Sequence, residues 1–239
     1  MQTEKIQFSV VIPTFNPDFK IFETLKNVKK SILYFQEKSK ITFEILIIND
    51  GGKEIEDKIV KVVENSRVFD LKKNRGVGYA REVGTRISKY KNIFFLDSDV
   101  MIETETFYRL YNDFFKLTDA GSLGALQSYK NLNKSYSSRF VCAKSCYGFQ
   151  NEPEFIEFSA IHSECCIVNK EFLRKIGGWN YYSKAGGEEF ELGHRIVANG
   201  KKNYLTKRTR YSTYYENILS RCNKIIYRTS NYLPILIKR

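Results

Sequence analysis

Three unbroken apolar runs, FSVVI, EILII and NIFFL, constrain the fold more than any other feature of the chain. A strand with one face in water alternates apolar and polar residues, whereas strands buried on both faces of a parallel sheet read as continuous hydrophobic runs. Between and after the runs lie segments of helical period: Asp18 to Gln36, a helix after Gly52, GYAREVGTRISKY, and about Thr104 to Leu117, with RVFDL as a further strand. Strand and helix alternate, the pattern of a doubly wound α/β fold with a Rossmann-like, mostly parallel central sheet and flanking helices. The second half is less regular. Residues 120–165 read as loop-rich with strands, CCIVN as a strand and Glu188 to Ala198 as a helix. Without a repeat or linker, residues 1–215 are expected to form one domain with two lobes, 1–118 and 119–215.

In such sheets ligands bind outside the carboxyl ends of the strands. The first run exits into Pro13, Thr14, Phe15 and Asn16, the second into Asn49, Asp50, Gly51 and Gly52, and the third into Asp97, Ser98 and Asp99. On period-two geometry Asp97 and Asp99 face the same way, so two hard carboxylates converge where a divalent cation bridging phosphate oxygens would sit. These acids also suit turns and helix caps, a reading that weighs most on Asp50 because Asp-Gly is itself a turn signal. No G-x-x-x-x-G-K-[ST] occurs, which argues against a P-loop enzyme. The dinucleotide fingerprint fails as well: Gly76 and Gly78 are followed by Arg81 where a third glycine belongs. Amides at the start of the helix after Gly78 are available to a phosphate.

Gly186 and Gly187 precede Glu188, Glu189 and Glu191 at a helix start. The helix dipole favours acids there, so capping and general-base readings stand side by side. Trp179, after Gly177 and Gly178, lies just upstream. With two histidines, His162 and His194, and no G-x-S-x-G, a hydrolase triad has little support. Cys142, Cys146, His162 and Cys165 do not have a standard zinc spacing, and buried reduced cysteines are the commoner arrangement.

The ordered series VVIPTFN, IINDGG, NRGVGYAREVG, FFLDSDV, IGGWN and GGEEFELGHR, running from about residue 8 to 200, resembles the GT-A fold family 2 glycosyltransferases. The resemblance implies an inverting transferase that moves a sugar from a nucleotide-sugar, UDP- or dTDP-linked, to an acceptor hydroxyl in surface glycan or glycolipid synthesis. It places Pro13, Thr14, Phe15 and Asp50 around the nucleoside, and Asn74, Gly76, Gly78 and Arg81 along the diphosphate. Asp97 and Ser98 join the nucleotide side. It makes Asp99, with Asp97, the ligand of Mg²⁺ or Mn²⁺, and Glu189, beside Glu188, the catalytic base. Gly178, Trp179, Glu191 and Arg195 would shape the acceptor and donor-sugar pocket. Two departures stand out: Glu188-Glu189 replaces the usual Glu-Asp, and Tyr211 to Tyr215 occupies the stretch where many relatives carry a histidine. A catalytically inactive nucleotide- or membrane-binding module of the same fold is the alternative. A nucleotidyltransferase lacks its glycine-rich basic signature near the first strand.

Charge adds a regional feature. The 239 residues hold 39 Lys+Arg and 27 Asp+Glu, a net of +12. Residues 201–239 account for +9 of it, with ten basic residues and one acid, Glu216. From Ile218, apolar residues at Leu219, Cys222, Ile225, Ile226, Leu233 and Leu236 interleave with Arg221, Lys224 and Arg228, which predicts a basic amphipathic helix over 216–239, ended near Pro234. Such a helix either packs its stripe on the domain or meets an anionic membrane surface, where a lipid-linked acceptor would reside. No RNA-binding motif accompanies it, so nucleic acid is not an expected partner. Five cysteines without a framework, and an N-terminus without a signal-peptide run, predict a reducing cytoplasmic location, peripheral on the inner face of the membrane.

Overall fold

The computed structural model describes residues 5–55, 59, 61–133, 135–147, 149, 151–180 and 187–226. Its strands are β1 (Ile6–Thr14), β2 (Ile41–Asn49), β3 (Ser66–Asp70), β4 (Asn92–Leu96), β5 (Val100–Ile102), β6 (Ala120–Gln127), β7 (Phe155–Phe158), β8 (Cys165–Asn169) and β9 (Lys202–Thr213). Its helices are α1 (Phe19–Lys38), α2 (Val77–Ile87), α3 (Thr106–Lys116), α4 (Tyr136–Tyr147), α5 (Lys170–Lys175) and α6 (Glu188–Ala198). Residues 218–226 are also helical. All strands join one sheet in the order β3-β2-β1-β4-β8-β6-β9-β5, with β7 paired to β9.

The parallel quartet β3-β2-β1-β4 is the part foreseen from the apolar runs. Its strands are apolar throughout because both faces are covered. Phe8, Val10, Ile12, Ile45, Ile47, Phe94 and Leu96 pack beneath α1 and α3, while Val11, Leu46, Ile48, Ile93 and Phe95 face the side of α2, α5 and α6. Each such side chain taken from water stabilises the fold by roughly 1.5–3 kcal/mol. Beyond β4 the sheet becomes mixed: β8 is antiparallel to β4 and β6, and β9 runs parallel to β6.

Helix α1 starts where Asp18 caps it, its carboxylate accepting from the Lys20 amide at 2.9 Å. Helix α2 starts at Gly76, whose φ of 93° an L side chain rarely adopts. In the region read as loop-rich with strands, residues 120–165, the strands β6 and β7 are present, and the twelve-residue helix α4 is the unforeseen element. The long strand β9, which no apolar period announces, pairs with β5, β6 and β7. The helix expected after Gly52 falls largely outside the described residues. So do Gly186 and residues 227–239, including Pro234. Among the described residues no helix is long and apolar enough to cross a membrane.

Candidate active site

The carboxyl ends of β1, β2 and β4 open on a cleft of about 380 Å³. Pro13, Thr14 and Phe15 after β1, Asp50, Asn74 and Gly76, and Asp97, Ser98 and Asp99 after β4 line it. The topology forces this meeting, since strands running parallel in neighbouring positions end on the same edge. Lys20, at the start of α1, also lines the cleft and was not foreseen from the sequence. Thr14 is buried, and its hydroxyl has no hydrogen-bond partner among the described residues.

Asp50 is buried with its carboxylate turned onto the loop before α2, accepting from the amides of Arg75 at 2.9 Å and Gly76 at 2.7 Å. Burial raises its pKa, and those two amides and the Arg75 charge act against the rise. Asn74 accepts from the same Gly76 amide at 3.1 Å. Asp50 therefore helps to shape the loop whose glycines were expected to face a diphosphate.

Behind the cleft lies Arg81, only 2% exposed. Its Nη2 donates to Asp97 Oδ1 at 2.8 Å, and its Nη1 is 3.7 Å from Glu188 Oε1. Burial pulls its pKa down, but the carboxylates of Asp97, Glu189 and Glu188 outweigh this and hold the guanidinium charged. Its Nε and Nη1 have no hydrogen-bond partner among the described residues. A Cβ at Gly78 would stand 3.1 Å from the Asn180 carbonyl oxygen, closer than ordinary contact, so glycine there lets that backbone approach.

Asp97 is pushed up to about 7, first by burial and then by the nearby carboxylates of Glu164, Asp99 and Glu189, with Arg81 opposing. Asp99 is also raised, by burial and Glu164, while Lys20 and Lys224 draw it down. Glu164, just before β8, is a carboxylate the sequence reading missed. Burial pushes its pKa up, but His162, the Tyr211 hydroxyl, Gln127 and Arg81 together outweigh it and leave the pKa lowered. It accepts from Gln127 Nε2 at 2.9 Å and from the Tyr211 hydroxyl. Tyr211 and Tyr215 thus fill the stretch where the family resemblance implies a histidine, and Tyr215 donates to Gln127 Oε1 at 2.8 Å. Among the described residues no group of three or more His, Cys, Asp or Glu side chains is arranged to hold a metal by itself. Of the residues weighed for zinc, Cys142 and Cys146 lie on α4 with their thiols toward backbone carbonyls, and Cys165 begins β8.

Glu188, Glu189 and Glu191 all fall in the first turn of α6. One oxygen of Glu189 accepts from the Ser163 hydroxyl and, at 3.3 Å, from the Ser163 amide. Glu191 pairs with Arg195 at 2.7 Å, and Arg195 also donates to the carbonyls of Ile176 and Gly178. Those two residues hold the Gly177-Gly178 turn to α6. Trp179 differs from its expected place beside the acids as a pocket wall. It is 1% exposed, set edge-on to Phe95 at 5.2 Å, with the Arg81 guanidinium 5.1 Å from its ring centre. The reason is local: Gly178, at φ 68°, places the Trp179 amide 2.9 Å from Glu82 and turns the indole inward.

The Minor teichoic acid biosynthesis protein GgaB of Bacillus subtilis (strain 168) is 24% identical over 218 residues, which are 85% of this chain and 22% of that protein. The crystal structure of GalNAc-T7 with UDP, GalNAc and Mn²⁺ matches with a TM-score of 0.68 at 16% identity, covering 90% of this chain and 45% of that one. That of S. aureus TarS 1–349 in complex with UDP-GlcNAc gives 0.65 at 19%, covering 89% and 59%. The two structures establish the GT-A fold. The chain spans 22% to 37% of the lengths of the first curated relatives it matches. A family model, Glycosyl transferase family 2, matches residues 9–177, the stretch that carries the cleft, both aspartates and Arg81. The chain belongs to glycosyl transferase family 2.

Proposed function

We propose that this protein is an inverting, metal-dependent glycosyltransferase that moves a sugar from a UDP-linked donor to an acceptor hydroxyl in surface glycan or glycolipid synthesis, working at the cytoplasmic face of a membrane. The observation that carries the reading is the pairing of two sites. A cleft at the strand ends holds Asp97, Asp99 and the unpartnered Thr14 hydroxyl, and across Arg81 from it stand Glu188 and Glu189.

Pro13, Thr14, Phe15 and Asp50 receive the nucleoside, with Asp97 nearer the ribose or donor sugar and Ser98 on the nucleotide side. Asn74, Gly76 and Gly78 shape the diphosphate side, and Arg81 supplies fixed positive charge there. Asp97 and Asp99 suit Mg²⁺ or Mn²⁺: their oxygens are hard donors, and burial among carboxylates leaves a negative excess that a divalent cation would relieve. Asp99, with Asp97, would hold the ion, which when bound withdraws charge from the departing diphosphate. Glu189 takes the proton of the acceptor hydroxyl on the face of the sugar opposite the leaving group, so the anomeric centre inverts. Gly178, Trp179, Glu191 and Arg195 act from behind, fixing the turn that borders the acceptor.

The test is turnover of a panel of nucleotide-sugars with Mn²⁺ or with EDTA. EDTA and Asp99→Ala are each expected to abolish measurable transfer, and Glu189→Gln to lower kcat about 10²–10⁴-fold with UDP binding retained. Indifference to all three ends this reading in favour of a noncatalytic module.

A further inference from the structure

Two stretches of this chain contain no acidic residue. From Ala120 to Asn151 there is no Asp or Glu, while Lys130, Lys134, Arg139 and Lys144 are present. From Asn217 to Arg239 there is again none, against Arg221, Lys224, Arg228, Lys238 and Arg239. The stretches are distant in sequence, but the fold joins them. The inner face of α4, Val141, Cys142 and Cys146, packs on Tyr215, and Asn133 Nδ2 donates to the Tyr215 carbonyl at 3.1 Å. The helix over 218–226 follows directly.

The outer face of α4 is aromatic. Tyr136, Phe140 and Tyr147 are spaced so that they fall within roughly 40° of one another at ~100° per residue. Tyr136 is 89% and Tyr147 73% exposed, and Phe140 is exposed between them. Arg139 and Lys144 flank the row on either side. On the neighbouring helix Leu219 is 74% exposed, with Ile225 and Ile226 also open. Glu216 is the single acid at the junction, and it is engaged by Arg221 and by Lys224 at 2.7 Å.

We propose that the aromatic row of α4 and the helix over 218–226 form one face that docks on an anionic lipid bilayer, with Tyr136, Phe140 and Tyr147 at headgroup depth and Arg139 and Lys144 on the lipid phosphates. Tyrosine suits that depth because its ring is apolar and its hydroxyl polar. Basic residues beside exposed apolar ones are the composition of surface-lying amphipathic helices. The absence of acids over both stretches removes the repulsion an anionic surface would otherwise meet. Docking would carry the cleft toward the bilayer surface, since Thr213, two residues before the Tyr215 that packs on α4, donates its hydroxyl to the Asp99 carbonyl at 3.2 Å. The contact itself does not depend on the transferase reading.

Flotation of the full chain with vesicles, without nucleotide, tests it. The protein is expected to float with phosphatidylcholine vesicles containing phosphatidylglycerol, and not with phosphatidylcholine alone. The triple variant Tyr136→Ser, Phe140→Ser, Tyr147→Ser is expected to lower the partition coefficient at least ~10-fold, and Arg139→Gln with Lys144→Gln roughly 30-fold. All five positions are on the outer face, so unchanged circular dichroism and melting are expected to accompany the loss. If both variants float as the wild type does, so that residues 216–239 alone carry the binding, the proposal is overturned. Equal binding to neutral vesicles overturns it too, as does a triple variant that floats normally but loses affinity for a soluble glycan or for a second copy of the chain.

Discussion

Ser163 is fully buried and gives both its hydroxyl and its amide to one oxygen of Glu189. A base held at a fixed angle delivers its lone pair to the acceptor hydroxyl without first reorganising. Ser163→Ala is therefore expected to lower kcat about 10-fold while leaving the donor KM and UDP affinity unchanged. Steady-state kinetics beside a UDP titration would check this. A parallel loss of UDP binding would show that Ser163 merely supports the fold. The sequence signalled little here. Ser163 and Glu164 stand before an apolar strand, and only the antiparallel placement of β8 against β4 brings them to the acids after Leu96. Asp97 and Asp99 were legible because their strand announces itself locally. The inward turn of the Trp179 ring was not legible, because a glycine-preceded tryptophan looks the same whether its ring turns inward or outward.

At the level of elements, the strands of the parallel quartet and the helices α1, α2, α3 and α6 lie close to their predicted positions, each carrying its own hydrophobic period. The elements that were missed hide theirs. Strand β9 buries Asn203, Thr206 and Thr209 along with Leu205 and Tyr211, so polar residues stand where a half-buried strand usually shows apolar ones. They are satisfied by neighbours remote in sequence. Asn203 Oδ1 accepts from the Ser122 hydroxyl at 2.8 Å, and its Nδ2 donates to the Gly193 carbonyl at 3.1 Å. One side chain thereby ties β9 to β6 and α6. Asn203→Leu strands both partners and is expected to lower the unfolding free energy by about 2–4 kcal/mol, measurable by urea denaturation. Helix α4 was hidden differently: its sequence, YSSRFVCAKSCY, has aromatics on the outer face and small residues on the inner one, the reverse of an ordinary amphipathic helix.

For the molecule as a whole, the cysteines report how completely the core around the single sheet is closed. Cys142, Cys146, Cys165 and Cys166 are buried, whereas Cys222 is exposed. Burial pushes the Cys142 thiol up to about 11 and raises the other three as well, so little thiolate exists at neutral pH and access is closed. A maleimide at pH ~7.5 is expected to label the native protein once, at Cys222, and the remaining four thiols only in denaturant, as read by intact mass. Rapid labelling of Cys165 or Cys166 would contradict the sheet order that places β8 between β4 and β6.

The sequence alone determined the parallel half of the sheet, the edge on which its strands end and the acids at that edge, because apolar runs and turn residues act over a few neighbouring positions. It also located the positive surplus in the last 39 residues. The tertiary structure decided what pairs with what: Arg81 lodged between Asp97 and Glu188, Ser163 against Glu189, Glu164 beside the aspartates, and α4 laid against Tyr215. Those contacts join residues tens of positions apart. Their energy comes from burial and charge pairing that exist only once the sheet has closed, and no local pattern of residue types records it.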